Sequence, residues 1–123
     1  MGVHAVAVVS DLIFASKIEG TARAMGLQAR VVASSESLVP LLAEGSVRLV
    51  MVDMTLPLEI AASALRLAAA HQSRPSTLAF YSHVSAAQRD AAIAAGADQV
   101  LARSAFSSAL PTILRERCAA ADA

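Results

Sequence analysis

The sequence predicts a doubly wound α/β domain in which five βα units build one parallel sheet. Short runs rich in β-branched residues alternate with longer alanine-rich segments, and glycine or proline separates many of them. Of the 123 residues, 56% are hydrophobic and only 16% are charged. Such a composition excludes the disordered class, and the length suits a single domain over residues 1–123.

The first two βα units begin with predicted strands at residues 3–9 and 28–33. Apolar residues at helical spacing follow the first strand, and Gly26 stands where a left-handed residue would end that helix. The second helix contains Pro40, which a helix tolerates only in its first turn. We therefore predict that this helix starts late, with Ser37 as its N-cap.

The other three units begin with predicted strands at residues 49–53, 77–81 and 99–102. The first of these is an unbroken apolar run that ends at Asp53, as expected of a central strand covered by helices on both faces. The helices that follow the three strands are predicted at 58–71, between the N-cap Ser85 and Gly96, and at 106–120.

The charge and the cysteine content of the chain indicate which partners it can attract and in which compartment it works. The ten basic and ten acidic side chains cancel, so no overall field attracts nucleic acid or an anionic membrane. Cys118 is the only cysteine, which excludes an intramolecular disulfide and disfavours a cysteine-based metal site. The first apolar run is interrupted too early for a signal peptide or a membrane span, so we expect a cytoplasmic protein.

Two carboxylates stand at the ends of the two most apolar strands, at Asp11 and Asp53. In an open sheet of order 2-1-3-4-5, strands one and three are neighbours, and ligands bind beyond their carboxyl ends. The two carboxylates are then expected to meet and to suit a hard cation such as Mg²⁺. Without a cation they would repel each other, which would raise the pKa of at least one. Either residue alone also fits a turn former or a helix N-cap.

Segments at the predicted strand ends carry a resemblance to a known family. They are residues 8–11, 50–57, 80–82, 95–98 and 101–104. The most specific is the strand-three segment, in which a proline follows Asp53 by four positions. Over nearly the whole chain the sequence resembles the receiver domain of bacterial two-component response regulators. This resemblance implies the flavodoxin-like (βα)5 fold, a three-layer sandwich with sheet order 2-1-3-4-5.

The resemblance also implies roles for single residues. Asp53 matches the phosphoacceptor, a carboxylate nucleophile that takes a phosphoryl group from a histidine kinase. Asp11 matches the main Mg²⁺ ligand, and Asp53 and the backbone carbonyl of Thr55 would complete the metal site. Ser82 matches the switch hydroxyl that donates a hydrogen bond to the phosphoryl oxygens.

Three positions depart from the family pattern. Ser10 replaces the first acidic residue, which lowers the expected affinity for Mg²⁺. Arg103 stands where the family has lysine, and its planar guanidinium changes the geometry around the phosphoacceptor. Val100 replaces the mobile aromatic ring that reports phosphorylation to partners. Two hypotheses remain: a phosphorylatable receiver, and a phosphorylation-independent pseudo-receiver that acts as a protein interaction module.

The resemblance further implies protein partners and a signalling role rather than enzymatic activity. A histidine kinase or phosphotransfer protein would donate the phosphoryl group, and a downstream protein or a second copy of the chain would dock on helix 4, strand 5 and helix 5. A phosphatase of the haloacid dehalogenase type is disfavoured, since Thr55 stands where its second aspartate would be. A dinucleotide-binding module lacks its glycine-rich turn after strand one.

Overall fold

The computed structural model describes residues 2–82 and 86–118, over which five strands alternate with five helices. The strands are β1 (Ala5–Val8), β2 (Ala29–Val32), β3 (Leu49–Asp53), β4 (Ser76–Tyr81) and β5 (Gln99–Ala102). The helices are α1 (Leu12–Ala24), α2 (Ser35–Ala43), α3 (Leu58–Ala70), α4 (Ala86–Ala94) and α5 (Arg103–Cys118).

All strand pairs of the sheet are parallel, and their order is β2-β1-β3-β4-β5. Val8 of β1 lies opposite Val52 of β3, and Asp53 lies opposite Phe80 of β4. The carboxyl ends of β1, β3 and β4 therefore meet at one edge, called here the carboxyl edge. This confirms the predicted doubly wound topology and its strand order.

Helices cover both faces of the sheet and give a three-layer sandwich. The helices α2, α3 and α4 bury one face, on which side chains such as Val6, Val50 and Leu65 form one apolar core. The helices α1 and α5 bury the other face, with Ile18 and Leu110 in a second core. Because both faces are covered, β1 and β3 are buried along their whole length, as their apolar runs predict.

All three phenylalanines of the chain form one aromatic cluster in the second core. Phe80 and Phe106 stack with ring centroids 4.3 Å apart, and Phe14 packs on both at 5.1 and 5.7 Å. Burying one such side chain stabilises a fold by about 1.5–3 kcal/mol. Since Phe80 is level with Asp53, the cluster forms a rigid base beneath the carboxyl edge.

Two glycines end helices as predicted. Gly26 follows α1 with φ +76°, and the amide of Leu27 returns to the carbonyl of Ala22. Gly96 follows α4 with φ +104°. A side chain is rarely tolerated in this left-handed region, so glycine is the residue that ends these helices most easily.

The predicted start of α2 is wrong. Ser34, not Ser37, is the N-cap, and its hydroxyl accepts a hydrogen bond of 3.2 Å from the amide of Ser37. Pro40 therefore lies in the second turn of α2, on its exposed side. Because the Ser34 cap starts the helix three residues earlier than predicted, the proline falls inside the helix, where it has no backbone N–H to donate.

The predicted start of α5 is also late, because β5 leads directly into the helix at Arg103 rather than at residue 106. Arg103 thus belongs to the first turn of a helix and not to a loop. The predicted N-cap Ser85 and the predicted end of the last helix at 120 lie outside the described residues. Within the described ranges, every helix is too short or too polar to cross a bilayer.

Candidate functional site

Asp53 is the last residue of β3, and its side chain is only 2% exposed. Its Oδ1 accepts hydrogen bonds from the backbone amide of Thr55 at 2.9 Å and from the Thr55 hydroxyl at 2.7 Å. Within residues 2–82 and 86–118, no hydrogen bond reaches Oδ2. One carboxylate oxygen is thus fixed while the other keeps its lone pairs for a ligand or an electrophile.

The turn after β3 fixes this orientation. The Met54 amide continues the sheet by donating to the Phe80 carbonyl at 2.9 Å, and the Leu56 amide then turns back to the Asp53 carbonyl at 3.2 Å. The aspartate side chain that accepts from the amide two residues ahead is an Asx turn, which Asp forms readily. The hydroxyl of Thr55 adds a donor that most residues at this position would lack.

Asp11 stands beyond β1 on the same edge and caps α1. Its Oδ1 accepts the amides of Ile13 and Phe14 at 2.9 and 3.1 Å, and its Oδ2 accepts the guanidinium of Arg103 at 2.7 Å. The amide of Phe14, followed by the Arg103 side chain, lowers the pKa of the Asp11 carboxyl below its usual range. Asp11 is therefore not a carboxyl whose pKa is raised by repulsion, because these donors compensate its charge.

Arg103 also contacts the ring of Phe14. Its guanidinium carbon lies 4.3 Å from the centroid of the Phe14 ring, a cation–π geometry. The side chains of Arg103 and Asp11 are 34% and 42% exposed, so solvent screens the ion pair and the pair itself contributes little to stability. Together the two contacts join the first turn of α5 to the first turn of α1.

A cleft of about 640 Å³ opens beside this pair, between the ends of β4 and β5 and the helices α1 and α5. Its lining consists of hydroxyl groups, one cation and apolar carbon: Phe14, Tyr81, Ser82, Ala102, Arg103, Ser104 and Ser107. Strand register places Ser82 level with Arg103, since Tyr81 pairs with Ala102. Lys17 of α1 donates a hydrogen bond to Ser107 across the cleft.

The oxygens at the carboxyl edge have the chemistry that Mg²⁺ requires. This ion binds one or two carboxylates and keeps several waters, so Asp11, Asp53 and the Thr55 carbonyl form an adequate donor set. In the described part of the chain, His, Cys, Asp and Glu side chains nowhere gather in groups of three or more. The types of donor thus suit the ion, but they are few, and Arg103 already pairs with one of the Asp11 oxygens.

All five residues predicted for the site lie at or just beyond the carboxyl edge, but the structure joins them in an unexpected way. It pairs Asp53 with Thr55 and Asp11 with Arg103. The second pair, and the supporting ring of Phe14, were not predicted. A signal was present in the sequence, since Asp11 and Arg103 follow β1 and β5 and the ends of parallel strands share one edge.

Comparison with known proteins gives a fold but no close relative. No protein-family model matches the sequence, and no curated protein matches it. Solved structures do match. One is a candidate response regulator from Chloroflexus aurantiacus, 19% identical, with a TM-score of 0.79 over 97% of this chain and 99% of that chain.

Two further structures show what such domains bind. The receiver domain of a sensor histidine kinase from Pseudomonas aeruginosa, with a magnesium ion in its active-site cleft, is 22% identical, with a TM-score of 0.76 over 97% of this chain and 99% of that chain. A response-regulator receiver domain from Saccharomyces cerevisiae, solved with a histidine phosphotransfer protein, is 15% identical, with a TM-score of 0.78 over 96% and 90%. The chain therefore has the receiver-domain fold.

Proposed function

We propose that this chain is the receiver module of a phosphorelay and that Asp53 accepts the phosphoryl group. The observation that carries the proposal is the Asp53 carboxylate itself. It is buried at the end of β3, with one oxygen held by Thr55 and the other accepting no hydrogen bond from the described residues. A carboxylate in this state is oriented for nucleophilic attack and needs little rearrangement.

The reaction follows from that geometry. Oδ2 of Asp53 attacks the phosphorus of a phosphohistidine, the new O–P bond forms, and the P–N bond breaks with its electron pair on the imidazole nitrogen. The leaving histidine then takes a proton from solvent. Thr55 keeps the other oxygen in place throughout, since its amide and hydroxyl donate to Oδ1 and not to the attacking atom.

Negative charge accumulates at this edge when a phosphoryl group approaches Asp53. Asp11, Asp53 and the Thr55 carbonyl would hold Mg²⁺, which neutralises such charge when bound. The Arg103 guanidinium lies at the same edge and supplies a permanent positive charge. The hydroxyl of Ser82, which lines the cleft beside Arg103, would donate a hydrogen bond to a phosphoryl oxygen.

The rim of the site supports a protein as the phosphodonor. Leu12 and Ile13, which directly follow Asp11, are 81% and 85% exposed. Large apolar side chains exposed at the edge of the sheet that carries the reactive carboxylate favour docking of a protein surface. In this proposal a histidine kinase or phosphotransfer protein docks there. The output partner, or a second copy, docks on the α4, β5 and α5 face, where β5 is an edge strand with half-exposed side chains.

The Asp11–Arg103 pair favours a second candidate, a pseudo-receiver that binds its partner without phosphorylation. In that case the ion pair would be permanent and would replace the metal. The exposed, uncharged Ser10 and the half-buried Val100, in place of an acid and an aromatic ring, agree with this reading. The two candidates differ in one property, the reactivity of Asp53.

Beryllofluoride, a mimic of the phosphoryl group, tests the proposal in the presence of Mg²⁺. We expect it to shift the backbone amide resonances of Asp53, Thr55 and Ser82 in the wild type and to have no effect on Asp53→Asn. Asp90→Asn, which removes an exposed carboxylate on α4, is the matched control and should respond like the wild type. An equal response in Asp53→Asn, or none in any protein, would refute the phosphoacceptor assignment.

A further inference from the structure

The Asp11 carboxylate offers a cation only one oxygen, and the structure places Arg103 on it. Oδ1 accepts two backbone amides of the first α1 turn, so both of its lone pairs are used. Oδ2 accepts the guanidinium of Arg103 at 2.7 Å. Any ion that binds Asp11 must therefore approach the oxygen that already holds a positive charge.

Two independent supports hold the guanidinium in this position. The Phe14 ring lies beneath it at 4.3 Å, and that ring packs at a tilt against Phe80 and Phe106. The backbone of Arg103 is fixed as well, because it is the first residue of the sixteen-residue α5. A lysine here could pair with Asp11, but its ammonium lacks the planar face that lies flat on a ring.

We infer that Arg103 is a positioning residue that competes with metal at the cation site. A divalent ion then binds Asp11 only by displacing the guanidinium. This inference rests on the proposed function, since it concerns the same edge and the same oxygens. The new element is that the Arg103 guanidinium and the metal ion compete for the same oxygen of Asp11. In this inference the affinity of the site for Mg²⁺ is set by the strength of the Asp11–Arg103–Phe14 contacts.

The exposure of the Asp11 and Arg103 side chains limits how strongly the guanidinium competes with a metal ion. Both charged side chains are more than a third exposed, so solvent screens the pair and displacement remains within reach of a divalent ion. Removing the guanidinium frees an oxygen and also removes a like charge beside the incoming ion. We expect both changes together to raise the affinity for Mg²⁺ by about three- to tenfold.

The test is a Mg²⁺ titration of the folded protein, followed by the amide resonances of residues at the carboxyl edge. Arg103→Gln is expected to bind Mg²⁺ about three- to tenfold more tightly than the wild type. Arg103→Lys keeps the charge but loses the contact of the guanidinium with the Phe14 ring, and its affinity should lie between the two. Arg89→Gln removes an equal charge from an exposed pair with Asp90 on α4 and should leave the affinity unchanged.

Equal affinity in Arg103→Gln and the wild type would overturn the inference, and so would the absence of Mg²⁺ binding in both. An equal gain in Mg²⁺ affinity in Arg89→Gln would show that the gain comes from the change in net charge alone. That result would overturn the inference as well. These outcomes are separate from failure of the proposed function, which is judged by the Asp53 dependence of the beryllofluoride response. A wild type that responds weakly and an Arg103→Gln variant that responds strongly would support both proposals.

Discussion

The Asp11 carboxylate contacts two helices at once, because each of its oxygens accepts hydrogen bonds from a different helix. One oxygen caps α1 through the amides of Ile13 and Phe14, and the other holds Arg103 of α5. The sequence offered a helix cap and a metal ligand as alternatives for Asp11. The structure confirms the cap, and the ligand role stays a prediction. The two roles are compatible because they use different oxygens.

At the residue scale, Ser82→Ala tests the switch hydroxyl. Losing a hydrogen bond to a charged phosphoryl group costs about 1.5–3 kcal/mol, so the affinity for beryllofluoride should fall about tenfold or more. Ser82→Thr keeps a hydroxyl and should retain most of the affinity. Ser104→Ala removes another hydroxyl from the same cleft and serves as the control. An unchanged affinity in Ser82→Ala would show that this hydroxyl takes no part.

At the element scale, strands were easier to predict from the sequence than helix starts. The unbroken apolar run of β3 is typical of a buried strand, because helices cover both faces of the sheet. The starts of α2 and α5 were placed three residues too late, since several serines compete as caps and β5 enters α5 without a turn. The Asp11–Arg103 contact joins residues 92 positions apart, so only the shared edge of the strands, and no local pattern, indicates that the two residues are near each other.

The α2 cap gives a stability prediction at this scale. Ser34→Ala removes the hydroxyl that accepts the Ser37 amide, and it should lower the free energy of unfolding by about 0.5–2 kcal/mol. Ser37→Ala, at the position first predicted as the cap, should cost clearly less, because its backbone amide remains. Chemical denaturation of both variants measures the difference. A larger loss in Ser37→Ala would contradict the observed cap.

At the scale of the whole molecule, the fold separates the reactive edge from the α4, β5 and α5 face. Asp53, Asp11 and the apolar rim of α1 lie at the carboxyl edge, whereas Val100 of β5 lies on a half-exposed edge strand. Strand order predicted the places of Asp11, Asp53 and β5, but the exposure of Leu12 and Ile13 was not predicted. The partners were beyond prediction, since a fold fixes where surfaces lie but not what binds them.

Docking of the phosphodonor can be tested at this scale with Ile13→Ser. Loss of an exposed apolar contact should slow phosphoryl transfer from a phosphotransfer protein by about threefold or more, while transfer from a small acyl phosphate stays unchanged. Ile93→Ser removes a comparable exposed side chain from α4 and should affect neither rate. Equal slowing with both donors would point to damage of the site instead of loss of docking.

Intact mass measurement and peptide mapping show directly whether Asp53 accepts a phosphoryl group. The protein is incubated with Mg²⁺ and a small acyl phosphate and then acidified. The Arg103→Gln variant, which lacks the guanidinium that competes with the metal ion, is treated in parallel. We predict a gain of one phosphoryl group that maps to the peptide containing Asp53 and that is absent in Asp53→Asn. An unmodified protein in both the wild type and Arg103→Gln, or a phosphoryl group on another residue, would contradict the claim.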